Sequence, residues 1–257
     1  AVELVHNFSL VHDDVQDGDR LRHGRDTVWA VWGEAQAINA GDALLALAHL
    51  SLAEIAQDSI AAASRILNER TLEMVEGQVM DLAFESRSDV SLDAYLAMIS
   101  RKTGALFEAA LALGALAAGA PAEKVAALGR CGRQLGLAFQ VRDDMLGIWG
   151  DVDRTGKPVA ADIHRHKKSL PIVFALERTE ADDLERLQRV YGAGELSAGD
   201  VSFVVGLLDS LGAQAYCQDE ADRHRSAALS ELADAELDER AAGEIREVAD
   251  FLLERDF

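Results

Sequence analysis

The chain contains few of the residues that interrupt helices or crosslink small folds. Its 257 residues include three prolines, two cysteines and 5% aromatic residues. So few prolines and aromatics, together with abundant alanine and leucine, favour helix over strand. The two cysteines, Cys131 and Cys217, are too few and too far apart in the sequence to form a disulfide framework. This usage indicates a reducing compartment, so we expect a cytoplasmic protein.

Long apolar runs and basic segments are also missing. No run reaches the roughly 18 apolar residues that span a bilayer, so we expect no transmembrane segment. The formal net charge is −20 and no basic patch is visible, which argues against a nucleic-acid partner. No Pro/Ser-rich linker or abrupt change of composition divides the chain, so residues 1–257 are expected to form a single domain. Most of the acidity is typical of a solvated surface.

Apolar residues recur at helical spacing through most of the chain. The middle of the sequence predicts one long amphipathic helix. Its apolar positions are Leu67, Leu72, Val75, Val79 and Leu82. Ser91 and Ser197 each precede an apolar stretch and are predicted to begin a helix. Alternating strand patterns are scarce, so the sequence predicts an all-α bundle of about eight to ten helices.

Acidic residues also cluster at the end of an apolar helix near the start of the chain. The apolar run Phe8–Val11 is followed by His12-Asp13-Asp14-Val15-Gln16-Asp17. On a helix, Asp13 and Asp17 lie one turn apart on the same face. Carboxylates this close repel one another and are costly to bury, whereas a hard cation such as Mg²⁺ binds them together with phosphate oxygens. The alternative interpretation of this cluster alone is a charged helix end on the surface.

A second acidic pair, Asp143-Asp144, also follows an apolar helical stretch, in the cluster Phe139-Gln140-Val141-Arg142-Asp143-Asp144-Met145-Leu146-Gly147. Two such helices facing each other could hold several Mg²⁺ ions around one diphosphate. Gln78 and Asp81 lie one turn apart on the long middle helix. Basic residues that could complete such a site lie close in sequence to these motifs. They are Arg22, Arg25, Lys102, Lys157, Lys167 and Lys168.

In their order along the chain, these motifs resemble those of the trans-isoprenyl diphosphate synthases, also called polyprenyl synthetases. The matching segments are His6–Asp17, Asn39–Leu44, Gly77–Asp81, Lys102–Thr103 and Phe139–Asp144. The similarity runs from residue 1 to about residue 175, and the short-chain members, such as geranylgeranyl diphosphate synthases, are the closest in type. It implies an isoprenoid-synthase-type helical bundle around a central cavity.

The resemblance further implies a homodimeric prenyltransferase that condenses an allylic diphosphate with isopentenyl diphosphate to a C15–C20 product, with C20 favoured. The expected cofactor is Mg²⁺, as three ions with bound diphosphate. The resemblance assigns metal binding to the aspartates and substrate contacts to basic and polar residues. The metal ligands are Asp13, Asp14, Asp17, Asp143 and Asp144, and the substrate-binding residues are Arg22, Lys102, Thr103, Gln140 and Lys157.

The sequence departs from the family pattern in three places. A Gly-Gly-Lys-Arg segment that binds isopentenyl diphosphate in the family is missing, and His23 stands where a second arginine is expected. Gly147 stands where the second motif usually has a third aspartate, although Asp151 follows four residues later. Since the chain begins inside the first motif's helix without Met, we expect it to be part of a longer protein.

Phe8 lies five residues before Asp13, about 7.5 Å along a helix. From there its ring could project into the cavity for the isoprenoid tail, and an aromatic residue here goes with short products in the family. The alternative is an ordinary core phenylalanine.

Two other functions remain open from the sequence. A terpene cyclase on the same scaffold would need no isopentenyl diphosphate, which fits the missing segment, His23 and Gly147. A non-catalytic subunit that supports a partner synthase would not need to keep its aspartate pairs, and the intact pairs argue against it.

Overall fold

Helices follow one another along almost the whole chain in the computed structural model, which describes residues 1–85, 87, 89–150, 160–192 and 195–254. The α-helices are α1 (Val2–Gln16), α2 (Val28–Trp32), α3 (Glu34–Leu52), α4 (Ile60–Glu85), α5 (Leu92–Ile99), α6 (Ala105–Ala117), α7 (Ala122–Trp149), α8 (Ala161–His164), α9 (Leu170–Arg178), α10 (Ala181–Tyr191), α11 (Ala198–Ser210), α12 (Ala213–Asp234) and α13 (Glu239–Glu254). A 3₁₀ turn, Gln57–Ser59, precedes α4, and a π-helical turn, Ser100–Gly104, joins α5 to α6. The all-α prediction is confirmed.

The helix boundaries follow local signals in the sequence. Ser91 caps α5 by accepting a hydrogen bond from the backbone amide of Ala94, and Ser197 forms a capping box with Asp200 at the start of α11. Both predicted helix starts are therefore confirmed. The described residues contain more helical segments than the eight to ten expected, because helices of five and four residues, such as α2 and α8, are too short to show a helical period.

A two-stranded hairpin follows α1, with β1 (Leu21–Arg22) antiparallel to β2 (Arg25–Asp26). His23 and Gly24 form its turn, and both have positive φ values, 50° and 72°. Two central residues with positive φ match the twist of a two-residue hairpin. His23, the departure noted in the sequence, thus lies at the exposed tip of this turn.

Helix α7 is central to the bundle, with α6 packed along one side and α12 along another. Glycines on α7 let its neighbours approach closely. A Cβ on Gly132 would lie 2.4 Å from the carbonyl oxygen of Phe107, and a Cβ on Gly136 would lie 2.8 Å from the Cα of Gly104. Both distances are too short for a real side chain, so these positions require glycine.

The π turn between α5 and α6 is clamped between α4 and α7. Arg133 of α7 donates to the carbonyl and hydroxyl oxygens of Ser100, both at 3.2 Å. The same guanidinium pairs with Glu73 of α4 at 2.6 Å and with Glu108 of α6. π-Helical turns are rare and often occur at functional sites. The π turn in this protein carries Lys102.

Gly77 of α4 packs closely against the backbone of this π turn. A Cβ on Gly77 would lie 2.2 Å from the backbone nitrogen of Lys102. We expect Gly77→Ala to lower the free energy of unfolding by about 1–3 kcal/mol, since the backbone must move apart. Gly114 of α6 is the matched control, because a Cβ there meets nothing within 4 Å. Gly114→Ala should leave stability unchanged or raise it by up to about 1 kcal/mol. Urea unfolding measures both values, and equal effects would contradict the clamp.

The long amphipathic helix predicted in the middle of the chain is α4, but only part of its apolar stripe is buried. Leu67 is fully buried, whereas Leu72, Val75 and Val79 are 60%, 41% and 62% exposed. The helical spacing of these apolar residues therefore predicted the helix correctly. The described residues of this chain do not cover the exposed part of the apolar stripe.

Cys131 and Cys217 are both buried and free, so the prediction of no disulfide framework is confirmed for them. Among the described helices, none combines the length and apolarity needed to cross a bilayer.

Candidate functional site

The first acidic motif lies at the end of α1, where Gly18 with a φ of 69° ends the helix. Asp13 and Asp17 lie one turn apart, as predicted. Asp13 accepts a hydrogen bond of 2.6 Å from the amide nitrogen of Gln78 on α4. The pKa of Asp17 is raised to about 6, mainly by desolvation and then by the charge of Asp13, while Lys102 acts in the opposite direction. This motif is thus an acidic end of α1 that α4 supports.

Asp14 has a different environment from its neighbours. It is buried and accepts a hydrogen bond of 2.8 Å from Nε of Arg22, and a terminal nitrogen of the same guanidinium lies 2.7 Å from its carboxylate as an ion pair. Burial raises the pKa of Asp14, and Arg22 partly offsets this. The same arginine approaches Asp13 only to 3.9 Å. Metal binding by Asp14 and diphosphate binding by Arg22 therefore stay predictions, and the structure shows that the two residues bind each other.

Lys102, on the π turn, connects the first motif to α4. Its ammonium nitrogen lies 2.5 Å from the carboxylate of Asp81 and 3.7 Å from that of Asp13. Gln78 and Asp81, one turn apart on α4, thus both face the end of α1. A lysine among several carboxylates is attracted to them, and its remaining donor capacity can bind an anionic ligand.

The second acidic motif lies near the end of α7. Asp144 is fully buried and accepts hydrogen bonds from the hydroxyl of Tyr95, from the backbone amide of Leu170 at 2.9 Å and from Gln140 at 3.2 Å. Desolvation raises the pKa of Asp144 to about 6, although the positive charge of Lys167 acts to lower it. Asp143, its partly buried neighbour, makes contacts of its own.

Polar contacts link the π turn to the second motif. Thr103, the residue after Lys102, donates a hydrogen bond of 2.8 Å to the side-chain oxygen of Gln140. The amide nitrogen of Gln140 donates in turn to Asp144. The line of contacts therefore runs from the end of α1, through the π turn, to the end of α7. The structure thus connects Asp13, Lys102, Thr103, Gln140 and Asp144, five of the residues that the sequence predicts for one site.

Lys167 is one of the basic residues that the sequence placed near these motifs as able to complete the site. Its ammonium nitrogen lies 3.8 Å from Asp144. Burial favours the neutral amine, but Asp162, Asp144 and Asp143 outweigh it and raise the pKa of Lys167. The signal in the sequence was the pair Lys167-Lys168 just before α9. Lys157, the lysine predicted to bind substrate, and Asp151 lie outside the described residues.

Phe8 lies on α1 five residues before Asp13, whereas the hairpin follows the acidic motif. It is partly buried and packs against the core cluster formed by α1, α3, α4 and α6. Its ring contacts His12 edge to face, with 4.8 Å between the ring centroids. His12 in turn packs on Gly41 of α3, where a Cβ would lie 2.2 Å from the ring nitrogen Nε2.

The donor set fits Mg²⁺ bound together with a diphosphate. Within the ranges that the structure describes, no three acidic, histidine or cysteine side chains are arranged to hold a metal ion by themselves. Mg²⁺ commonly binds one or two carboxylates and takes its other ligands from water and substrate phosphates. Asp13 and Asp17 at one end, and Asp143 at the other, could provide those carboxylates, while Lys102 and Lys167 could neutralise phosphate charge.

Comparison with known proteins gives consistent results. A sequence profile of the family described as Polyprenyl synthetase matches residues 1–208. The chain is 42% identical over 258 residues to a (2E,6E)-farnesyl diphosphate synthase of Mycobacterium tuberculosis, covering 99% of the chain and 72% of the relative. It is 46% identical over 238 residues to a geranylgeranyl diphosphate synthase of the same organism, covering 91% and 67%.

The fold also has close counterparts among solved structures. The crystal structure of a polyprenyl synthetase from Streptomyces coelicolor superimposes with a TM-score of 0.92 at 39% sequence identity. This alignment covers 98% of the chain and 76% of the Streptomyces protein. The similarity therefore extends over nearly all of the chain.

Proposed function

Because the chain belongs to the polyprenyl synthetase family and is a short-chain trans-prenyltransferase, we propose that it condenses an allylic diphosphate with isopentenyl diphosphate. The product is a farnesyl (C15) or geranylgeranyl (C20) diphosphate, with geranylgeranyl favoured, and inorganic diphosphate and a proton are released. The observation that carries this proposal is the convergence of Asp13, Lys102 and Asp144 along one line of contacts.

The residues along this line of contacts could stabilise the charges that develop in the reaction. Breaking the allylic C–O bond leaves a carbocation and an anionic diphosphate. Mg²⁺, proposed as three ions, would neutralise the diphosphate charge when bound by Asp13, Asp17 and Asp143. Lys102 donates hydrogen bonds to the leaving diphosphate, and its charge is preorganised by Asp81 at 2.5 Å.

Other groups act on the carbocation and on water. The oxygens of Thr103 and Gln140 are fixed by their 2.8 Å hydrogen bond, so their dipoles are oriented before the charge develops. The ring of Phe139 packs against that of Phe107, with 5.4 Å between centroids, and a ring face can stabilise a cation. Apolar walls around the bound isoprenoid would exclude the water that quenches such a carbocation.

Product analysis separates this proposal from the alternatives. The chain is incubated with Mg²⁺ and an allylic diphosphate, with and without isopentenyl diphosphate. A synthase forms a longer prenyl diphosphate only when isopentenyl diphosphate is present, whereas a terpene cyclase releases a hydrocarbon without it. The named relatives are synthases, which favours the first result. Hydrocarbon release, or no reaction with diphosphate binding lost, would refute the proposal.

We also propose that the protein is a homodimer, with α3 and α4 at the interface. These helices expose large apolar side chains, which on a monomer usually mark an interaction surface. The exposed residues are Ile38, Leu47, Leu50, Leu72, Val75 and Val79. A second copy of the chain is the partner that the family resemblance favours, and a two-fold dimer pairs the same surface on both copies.

Val79→Glu tests the dimer, because Val79 is 62% exposed in the monomer and would be desolvated in the interface. We expect the wild-type chain to sediment at twice its mass of 27.7 kDa and Val79→Glu at that mass. Val248→Glu is the control, since Val248 on α13 is also exposed, at 54%, but lies on another helix. Wild-type monomers, or dimers of both variants, would contradict the proposed interface.

A cytoplasmic location is proposed from the cysteines alone. Cys131 and Cys217 are free and buried, and burial raises the pKa of the Cys131 thiol to about 11, which keeps it unreactive. Free thiols of this kind are typical of a reducing compartment.

A further inference from the structure

Two arginines and two glutamates pair with one another where α4, α6 and α7 meet the π turn. They are Arg70 and Glu73 of α4, Glu108 of α6 and Arg133 of α7. Their side chains are only 20–28% exposed, so none is freely solvated. The two positive and two negative charges balance, which lowers the cost of keeping such groups away from water.

The two arginines of this set make different contacts. Among the described residues, the polar contacts of Arg70 are with carboxylates, at 2.9 and 3.0 Å for the two glutamates of the set and at 3.6 Å for Glu69. Arg133 pairs with the same two glutamates. One of its terminal nitrogens also donates to the carbonyl and hydroxyl oxygens of Ser100, both at 3.2 Å. Arg133 therefore joins the charged set to the first residue of the π turn.

The stem of Arg133 packs against the other end of the turn. A Cβ on Gly104 would lie 3.3 Å from Cγ of Arg133 and 3.4 Å from its carbonyl oxygen. Lys102 lies between these two points of contact, Ser100 and Gly104. The direction of the Lys102 side chain toward α4 therefore depends on how Arg133 holds the turn on both sides.

Stability alone does not account for a buried set of ions. Burial disfavours the charged guanidinium of Arg133, but its hydrogen bonds to Glu73 and Glu108 outweigh this and raise its pKa. The set thus stays ionised and desolvated, although apolar residues in place of buried ion pairs are often neutral for stability or better. Apolar residues could not hold Ser100, however, because its two oxygens need a donor.

We propose that Arg133 is a positioning residue of the reaction, which fixes the π turn through Ser100 so that the ammonium of Lys102 faces the leaving diphosphate. This inference rests on the proposed function and adds to it a residue that acts through another. A displacement of about 1 Å in a group that stabilises the transition state can lower the rate by about a hundredfold. Because Lys102 acts on charge that develops in the transition state, kcat falls more than KM rises.

The same exchange at both arginines tests this role. Arg133→Lys keeps a positive charge beside the two glutamates, but a compact ammonium cannot span the glutamates and Ser100 as the planar fork of arginine does. Arg70→Lys is the matched control, because Arg70 shares those glutamates. Both kcat and KM are measured with Mg²⁺, isopentenyl diphosphate and an allylic diphosphate, at a temperature at which thermal unfolding shows each variant to be folded.

We expect Arg133→Lys to lower kcat by about 10- to 100-fold while KM stays within about threefold of wild type. Arg70→Lys should keep kcat within about threefold of wild type. Equal losses in the two variants, or a wild-type kcat in a folded Arg133→Lys protein, would overturn the inference. If Arg133→Lys does not fold, Ser100→Ala decides, because it removes one acceptor of Arg133 from the turn and should lower kcat by about three- to tenfold.

A double-mutant cycle separates positioning of Lys102 from a general effect on the fold. In a Lys102→Met background there is no ammonium left to position, so adding Arg133→Lys should lower kcat by less than about threefold. A merely structural role would lower kcat by the same factor in both backgrounds, and that result would overturn the inference.

The same measurements distinguish the inference from the proposed function. If the wild-type chain forms no longer prenyl diphosphate from isopentenyl diphosphate, the proposed function fails and the inference fails with it. If the wild-type chain forms product and Arg133→Lys does so at the same rate, only the inference fails.

Discussion

Replacement of Lys102 by methionine is expected to lower kcat by about a hundred- to a thousandfold, the range found when one preorganised donor to a developing charge is lost. Lys102 lies 2.5 Å from Asp81 and 3.7 Å from Asp13, so its ammonium is fixed before the diphosphate leaves. Methionine keeps most of the length and apolar volume of the lysine stem. The loss should therefore be one of charge rather than of packing. Steady-state kinetics with isopentenyl diphosphate and an allylic starter measures it.

Two variants make this result interpretable. Lys124→Met removes a lysine in the first turn of α7, at the other end of that helix from Asp143, where it donates a hydrogen bond to the carbonyl oxygen of Glu236, and should leave kcat unchanged. Lys102→Arg keeps the charge and should recover part of the activity, although a planar fork replaces a compact ammonium. A full kcat in Lys102→Met would show that the π turn does not present its lysine to the substrate.

Phe8→Ala is expected to lengthen the product beyond that of the wild-type chain. The ring of Phe8 is held against His12, with 4.8 Å between the centroids, and His12 is seated on the bare α-carbon of Gly41. This support keeps the ring in one orientation about 7.5 Å below Asp13. Removing the ring opens the path along α1 for further isoprene units.

A surface pocket lies further along α1, on the side of Phe8 away from Asp13. It has a volume of about 440 Å³ and lies near the start of α1, between that helix and the ends of α3 and α6. Its lining includes Val2, Leu52 and Leu113, which suit an apolar chain. Chromatography of the dephosphorylated products measures the shift. Phe251→Ala, which truncates an exposed ring on α13, is the control, and an unchanged product from an active Phe8→Ala protein would refute the role of Phe8.

The sequence predicted the fold class and the acidic motifs because both depend on local patterns. Asp13 and Asp17 face the same way on any helix. The sequence also led us to expect that α1 and α7 face each other, because two acidic helix ends can be brought together when cations bind between them. Family membership, confirmed by the comparisons, makes that expectation specific.

Other features depend on tertiary contacts and leave little local signal. Leu72 and Val79 have the same period as a buried stripe, and only the neighbours of α4 decide which positions are covered. The π turn at Lys102 arises because Gly77 and Gly136 allow close approach from both sides. The carboxylate of Asp162 packs on Gly147 from another helix, a contact that the sequence around position 147 does not show. Binding of Asp14 by Arg22 likewise depends on the hairpin after α1.

The proposed function requires that α1 and α7 hold one diphosphate between them. A crystal structure of the protein with Mg²⁺ and inorganic diphosphate tests this requirement. We expect diphosphate between Asp13 and Asp143, with metal ions bound on both sides and Lys102 and Lys167 donating to its oxygens. Diphosphate bound elsewhere, or metal ions confined to one motif while the other stays empty, would contradict it.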